Sequence, residues 1–410
     1  MHKRAVITGL GIISSIGNNT TEVLASLRAQ RSGIRFSEEM RELGFRSCVC
    51  GAPTLSDPIA HINDKRTTRF MSIGSAWNYL AMREAVSDAG LEETDYRRNP
   101  RVGLIMGSGG PSTTAIVDAA TITREKGPKR IGPFAVPKAM SSSASAVLST
   151  TFEIYGKSFS ISSACATSAH CIGEAAALIE SGKHSIVFAG GHENLEWSLS
   201  NLFDAMGALS SNFNETPARA SRAYDADRDG FVIAGGAGVV VVEELMHARA
   251  RGARIYGEVI GYGATSDGSD MVSPSGEGAV RSMEMALDGI LPSHIKYINT
   301  HGTSTPIGDL KEIEAIKTVF GTRVPPISST KSLTGHSLGA AGVQEAIYCL
   351  LMMHEGFLTG SAHIDRLGEE FTDVPILRSN VEDVSPEMVM SNSFGFGGAN
   401  ATLIFAKTED

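Results

Sequence analysis

The chain has 410 residues, 42% of them hydrophobic, and a formal net charge of −9. That length and apolar share predict a large core divided over two or more units, and the acidic balance excludes a global basic field for nucleic acid. Five cysteines without a CxxC pair are too few for a disulfide framework in a chain this long and point to a reducing, cytoplasmic setting.

The opening MHKRAVITGLGIISSIG has a basic start and an apolar stretch, but glycines and Ser/Thr interrupt it. Strand, turn and helix are predicted there rather than a signal peptide. No window reaches about 18 uninterrupted apolar residues, so no membrane insertion is expected. Further β-branched runs (RVGLIMG, HSIVFAGG, GVVVVEEL, KYINTHG, ATLIFA) alternate with longer helical stretches. This pattern predicts an α/β chain whose strands are buried on both faces. GLGIISSIG has Ser14 where a dinucleotide fingerprint needs its third Gly, and GSGG at 107–110 has no GK[ST] after it. Neither nucleotide motif holds.

Basic side chains cluster at Lys65, Arg66 and Arg69, and again at Arg124, Lys126, Lys129 and Arg130. On charge alone these are solvated faces; an occupant would be an acidic protein rather than a nucleic acid.

SISSACATSAHCIG, residues 160–173, opens a predicted helix that starts near Ser162 or Ser163 and stops at Gly182. Cys165 then falls in the first turn, where free N–H groups and the helix dipole depress a thiol pKa. Cys171 lies deeper, as a small inert hydrophobe. Position i+5 lies roughly 140° around a helix, so His170 faces away from Cys165 and reads as a hydrogen-bonded packing residue. DADRDG at 225–230 copies half an EF-hand loop, but Gly236 stands where the loop needs its bidentate Glu. The chain passes from strand through helix to a new strand near 245–255, which is the expected internal boundary, and the two sides loosely echo one another.

Beyond that boundary, His301 follows an apolar strand in YINTHGTSTPIGD and precedes a helix opened by Pro306. His336 starts a small-residue helix in STKSLTGHSLGAAG. Strand ends and helix starts are where α/β proteins keep ligands, and a cysteine nucleophile takes its base from a distant loop. GHSLG also fits a nucleophile elbow at Ser337, yet SSTKSLT is no apolar strand and only Glu345 and Glu355 separate Ser337 from His363. That spacing does not carry elbow topology. NSFGFGGAN, residues 392–400, is either a tight turn or a glycine-lined approach of backbone N–H groups to a reacting centre.

Together SSACATSAHCIG, NTHGTSTPIGD, STKSLTGHSLGAAG and NSFGFGG resemble, in order and spacing, the β-ketoacyl-[acyl carrier protein] synthases, and the likeness runs essentially end to end. SISSACATSAHCIG and VITGLGIISSIGN are most similar to the type I synthases of fatty-acid elongation. The resemblance implies a thiolase-like α/β fold, two pseudo-duplicated halves in a five-layer αβαβα arrangement, divided at 1–250 and 251–410, and a homodimer. It implies Cys165 as the acylated nucleophile, His301 and His336 as the paired histidines, and Lys331 and Glu312 as supporting polar residues. It further implies Phe394 as the gate, with its N–H joining that of Cys165 in an oxyanion hole, and Thr303, Thr305 and Gly107 as substrate contacts. Acyl carrier protein, small and acidic, becomes the expected partner, with Lys65, Arg66, Arg69, Arg124 and Lys126 as docking candidates. No metal or organic cofactor is expected. Ala399 stands where the family more often has Thr, and MGSGGPSTTA, SSSASAVLST and GGHENLEWS also depart from familiar type I sequences. A specialised paralogue of a secondary pathway is the alternative, and a non-catalytic partner subunit a remoter one because such subunits lack the nucleophilic Cys.

Overall fold

The computed structural model describes residues 3–408. Ten strands form one sheet: β1 (Ala5–Ile13), β2 (Val102–Gly107), β3 (Ser158–Phe159), β4 (Ile186–Glu193), β5 (Gly236–Glu244), β6 (Gly257–Ser266), β7 (Tyr297–Asn299), β8 (Ile327–Ser328), β9 (Met388–Gly395) and β10 (Ala399–Ala406). Their order is β3-β2-β4-β5-β1-β6-β10-β9-β7-β8. Adding five to each strand of the first half gives its mirror position in the second. The ladders agree too: β1/β5 and β5/β4 are antiparallel like β6/β10 and β10/β9, while β4/β2 and β2/β3 are parallel like β9/β7 and β7/β8. The halves join through a short antiparallel contact at Val6 and Ile7 of β1 with Glu258 and Gly257 of β6.

Side chains alternate across a strand with period two. In β5, Val240 and Val242 enter the largest core, whereas Ala237, Val239 and Val241 enter a second core on the other face. Eight helices position the site: α1 (Ile73–Asp88), α2 (Thr113–Lys126), α3 (Ser143–Thr151), α4 (Thr167–Glu180), α5 (Trp197–Met206), α6 (Glu277–Ala286), α7 (Pro306–Phe320) and α8 (Ala341–Glu355). Helices α1 and α3 cover the outer face of the first half, α6 covers that of the second with α7 beside it, and α4 and α8 lie between the halves. The result is the five-layer αβαβα arrangement of the thiolase-like fold.

The two central helices meet at their N-terminal ends. A Cβ on Gly342 would lie 2.6 Å from the Ala169 amide nitrogen, so only glycine permits this approach. There Val343 N donates to Ser168 Oγ at 2.9 Å. The contact brings the turn before α4, with Cys165, against the turn before α8, with His336. No helix is long and apolar enough to cross a membrane among the described residues.

Candidate active site

Cys165 sits in a 3₁₀ turn, Ala164–Ala166, just ahead of α4 rather than in the helix's first turn. Gly182 ends α4 in a left-handed conformation, as the sequence predicts. Ala164 has φ +49°, a region costly for a residue with a Cβ. The strained turn aims Sγ at two backbone amides, those of Phe396 and of Cys165 itself.

His301 lies just past β7. Both carboxylate oxygens of Glu312, on α7, grip its backbone: Oε1 accepts from His301 N and Oε2 from Gly302 N, each at 2.8 Å. His336 is strapped to a neighbouring segment, its N–H donating to Val232 O at 2.7 Å and its carbonyl accepting from Ala234 N at 2.9 Å. The two imidazoles meet edge to face with centroids 5.1 Å apart. Cys165 Sγ and ring nitrogens of both histidines lie within 4.8 Å of one another. His301 Nδ1 and both nitrogens of His336 are buried without a protein partner. Polar atoms left so cost stability unless a substrate engages them.

Burial sets the charge states. It pushes the Cys165 thiol up to about 12, against the downward pull of Lys331. The dipole argument predicted a depressed thiol; desolvation outweighs it, so the resting group is a neutral thiol. Burial first, and Lys331 next, push both imidazoles well below the usual histidine range, so they rest neutral. The Lys331 ammonium pairs with Glu345 Oε1 at 2.5 Å in the interior. A Cys-His-His trio could also ligate a metal, but a divalent ion would have to enter the field of this buried ammonium. Iodoacetamide modification of Cys165 should therefore accelerate about tenfold per pH unit up to about pH 10, because the thiolate fraction grows so below the pKa. A rate that levels off near neutrality would mean a depressed thiol after all.

The trio opens into a cavity of about 310 Å³. Phe203, Met206 and Phe231 line it from the first half, and Thr303, Thr305 and Phe394 from the second. Thr303 and Thr305 hold their hydroxyls 3.0 Å apart at its wall. Two expectations change, the Phe394 amide and the Gly107 contact. Phe394 lies inside β9 paired with Asn400, its ring 5.8 Å from His301. The amide beside Sγ belongs to Phe396, two residues on, whose half-exposed ring also reaches Phe203. Gly107 does not line the cavity; a Cβ there would lie 2.3 Å from Thr167 Cγ2 and 2.4 Å from the Ile161 carbonyl, so it is a close-packing glycine.

Lys65, Arg66, Arg69, Arg124 and Lys126 are exposed and lie outside the cavity. An edge contact between Phe70 and Phe134 joins the segments next to the two basic clusters. Ser337 is buried and donates to Gln344 Oε1 at 2.7 Å, not the setting of a nucleophile. Asp225 accepts from the amides of Asp227, Asp365 and Arg366, which anchors a loop and leaves the half EF-hand without a role for calcium. One residue escaped notice in the sequence. Glu193, at the end of β4, accepts from Gly109 N at 2.8 Å and Gly339 N at 2.9 Å, joining loops of the two halves beside the trio. Burial raises its pKa to about 7.

Residues 2–248 match the family described as beta-ketoacyl synthase, N-terminal domain, and residues 256–365 its C-terminal domain. The chain is 58% identical over 409 residues to 3-oxoacyl-[acyl-carrier-protein] synthase 1 of Escherichia coli, covering 100% of both chains. A beta-ketoacyl synthase from Burkholderia phymatum superimposes with a TM-score of 0.93 at 32% identity, over 99% of this chain and 100% of that one. A type II PKS acyl-carrier protein in complex with its ketosynthase bound to the hexaketide matches with a TM-score of 0.88 at 27% identity, over 100% of both chains. The chain belongs to the β-ketoacyl synthase family.

Proposed function

We propose that the chain elongates fatty acyl groups as a type I 3-oxoacyl-[acyl carrier protein] synthase. The observation that carries this reading is the convergence of one buried thiol and two neutral imidazoles, each with a buried nitrogen that no protein group engages, at the end of an apolar cavity. Cys165 attacks the acyl-carrier thioester; its proton passes by way of a neighbouring imidazole to the departing carrier thiolate. The amides of Cys165 and Phe396 hold the oxyanion of that step. Malonyl-carrier then breaks its bond to the carboxylate and releases CO₂, and the electron pair moves onto a thioester oxygen held by N–H groups of His301 and His336. The enolate carbon attacks the acyl-Cys165 carbonyl and a C–C bond forms. The carbonyl re-forms as the Cys165 thiolate leaves, and that thiolate takes up a proton from solvent, the first proton having left on the carrier thiol. The product is a 3-oxoacyl thioester two carbons longer.

Thr303 and Thr305 would contact the carrier's pantetheine arm, Glu312 and Lys331 would support the histidines, and the exposed basic clusters would meet the acidic carrier. Lys65, Arg66, Arg69, Arg124 and Lys126 are the residues to test. We read the chain as two halves meeting near 250/251, which the two matched family regions support. A homodimer is the assembly we favour: Ile116 and Val117 on α2 and Leu202 and Met206 on α5 expose apolar side chains on neighbouring helices. Five free thiols suit a cytoplasmic setting.

The test mixes purified protein with acyl-carrier thioesters of graded length and malonyl-carrier, and reads intact masses. A ketoacetyl gain is expected; absence of any acylated enzyme would sink the reading. Cys165→Ala should abolish acylation, whereas Cys171→Ala should retain it because Cys171 is sealed inside α4.

A further inference from the structure

Two backbone amides from distant parts of the chain must point at one oxygen, and something must hold them in register. Cys165 contributes one from a strained turn, and Phe396 the other from the hairpin between β9 and β10. Backbone packing supplies part of the answer: a Cβ on Gly395 would come within 2.9 Å of the Ser163 carbonyl and 3.0 Å of the Cys165 amide nitrogen. Such contact keeps the hairpin close, but has no preferred direction.

His170 supplies a directed link. It lies in the first turn of α4 and is half-buried. Its Nδ1 is 2.7 Å from Ser163 Oγ, two residues before the nucleophile. The ring also bonds the backbone carbonyl of Asn400. A carbonyl only accepts, so with Nδ1 on Ser163 the donor is Nε2–H, and the Ser163 hydroxyl donates to Nδ1. Burial lowers the ring's pKa, in keeping with a neutral imidazole of that tautomer. Asn400 faces Phe394 across the β9–β10 ladder, at the foot of the hairpin that carries Phe396. Its side chain donates to the Gly398 carbonyl at 3.0 Å and to Asp267 Oδ1 at 2.9 Å, so a pull on Asn400 is felt throughout the turn.

We propose that His170 is a positioning residue that fixes the two oxyanion amides relative to each other, gripping the nucleophile turn through Ser163 and the hairpin through Asn400. The inference rests on the condensing reading above. It makes a prediction that a purely structural role does not. Oxyanion donors are needed when Cys165 is acylated and when the enolate attacks, since charge then builds on the acyl oxygen. Loss of CO₂ from the malonyl thioester builds charge between His301 and His336, which His170 does not touch.

The experiment measures single-turnover acylation of Cys165 and, separately, decarboxylation of malonyl-carrier, in the wild type and in three variants. His170→Phe fills the ring volume and makes neither bond. His170→Asn offers a polar atom near the Nδ1 position, and His170→Gln one near Nε2. A misplacement near 1 Å costs about 10²-fold in a well-oriented reaction, so His170→Phe should acylate about that much more slowly while decarboxylating as the wild type does. His170→Asn and His170→Gln should fall between. Ser163→Ala cuts the same link from its other end, leaves the helix intact, and should show the same split if His170→Phe folds poorly. Equal loss of both steps in these variants, or unchanged acylation in His170→Phe and Ser163→Ala, overturns the proposal. Wild-type acylation, measured alongside, judges the condensing reading independently.

Discussion

Replacing His301 or His336 by Ala should slow loss of CO₂ from a malonyl thioester by about 10²–10³ each, the usual effect of deleting one preorganised oxyanion donor. Their imidazoles lie edge to face, 5.1 Å between centroids, with nitrogens that no protein group satisfies. Donors held in this way need no reorganisation as the enolate forms. The double variant should lose less than the product of the two single losses, because both rings serve one oxygen. Charge state gives the test a second arm. An imidazolium would pair with the substrate carboxylate and stabilise the charge that must leave, so the working rings are neutral. Burial and Lys331 hold both pKa values well below the usual histidine value. Decarboxylation should therefore stay level as pH falls from about 7.5 to about 6, where an ordinary imidazole, pKa about 6.5, would become mostly protonated. Near-normal decarboxylation in both single variants would remove the histidines from this step. A decline centred near pH 6.5 would remove the desolvation argument.

The places of Cys165, His301 and His336 were legible because each follows a strand or turn signal and precedes a helix signal, and that grammar survives folding. Duplication was faintly legible in the echo of AVITGLG by GEVIGYG, which become β1 and β6, the adjoining strands of the two halves. What failed were quantities that depend on a third dimension. A helix start near Cys165 implies a favourable field, but only the folded chain reveals desolvation strong enough to overrule it. Two phenylalanines two residues apart in NSFGFGG look equivalent on a strand of period two. The strand ends between them at Gly395, so Phe394 keeps its ring on His301 and Phe396 turns its amide to the thiol. Glu193 was invisible for a similar reason: its shortest hydrogen bonds come from the amides of Gly109 and Gly339, which carry no side-chain signature.

Removing Glu345 should be the most damaging single change to stability near the site. Lys331 and Glu345 have side chains only 2% and 3% exposed and form an ion pair at 2.5 Å. Glu345→Ala would strand the ammonium in the interior, a cost of about 3–5 kcal/mol for breaking such a pair from one side. Thermal or urea unfolding reads this directly. Removing both charges is a different matter, since a buried pair can give way to apolar residues of similar volume with little net change. Lys331→Met combined with Glu345→Leu should therefore unfold close to the wild type. The double variant then exposes what the lysine does for chemistry. Its positive charge lowers the pKa of His301 and of His336. Taking it away must raise both values, so the acid limit of malonyl decarboxylation should move to higher pH while the fold persists. If that limit stays put in a double variant of normal stability, burial alone keeps the imidazoles neutral, and the lysine serves only to balance Glu345.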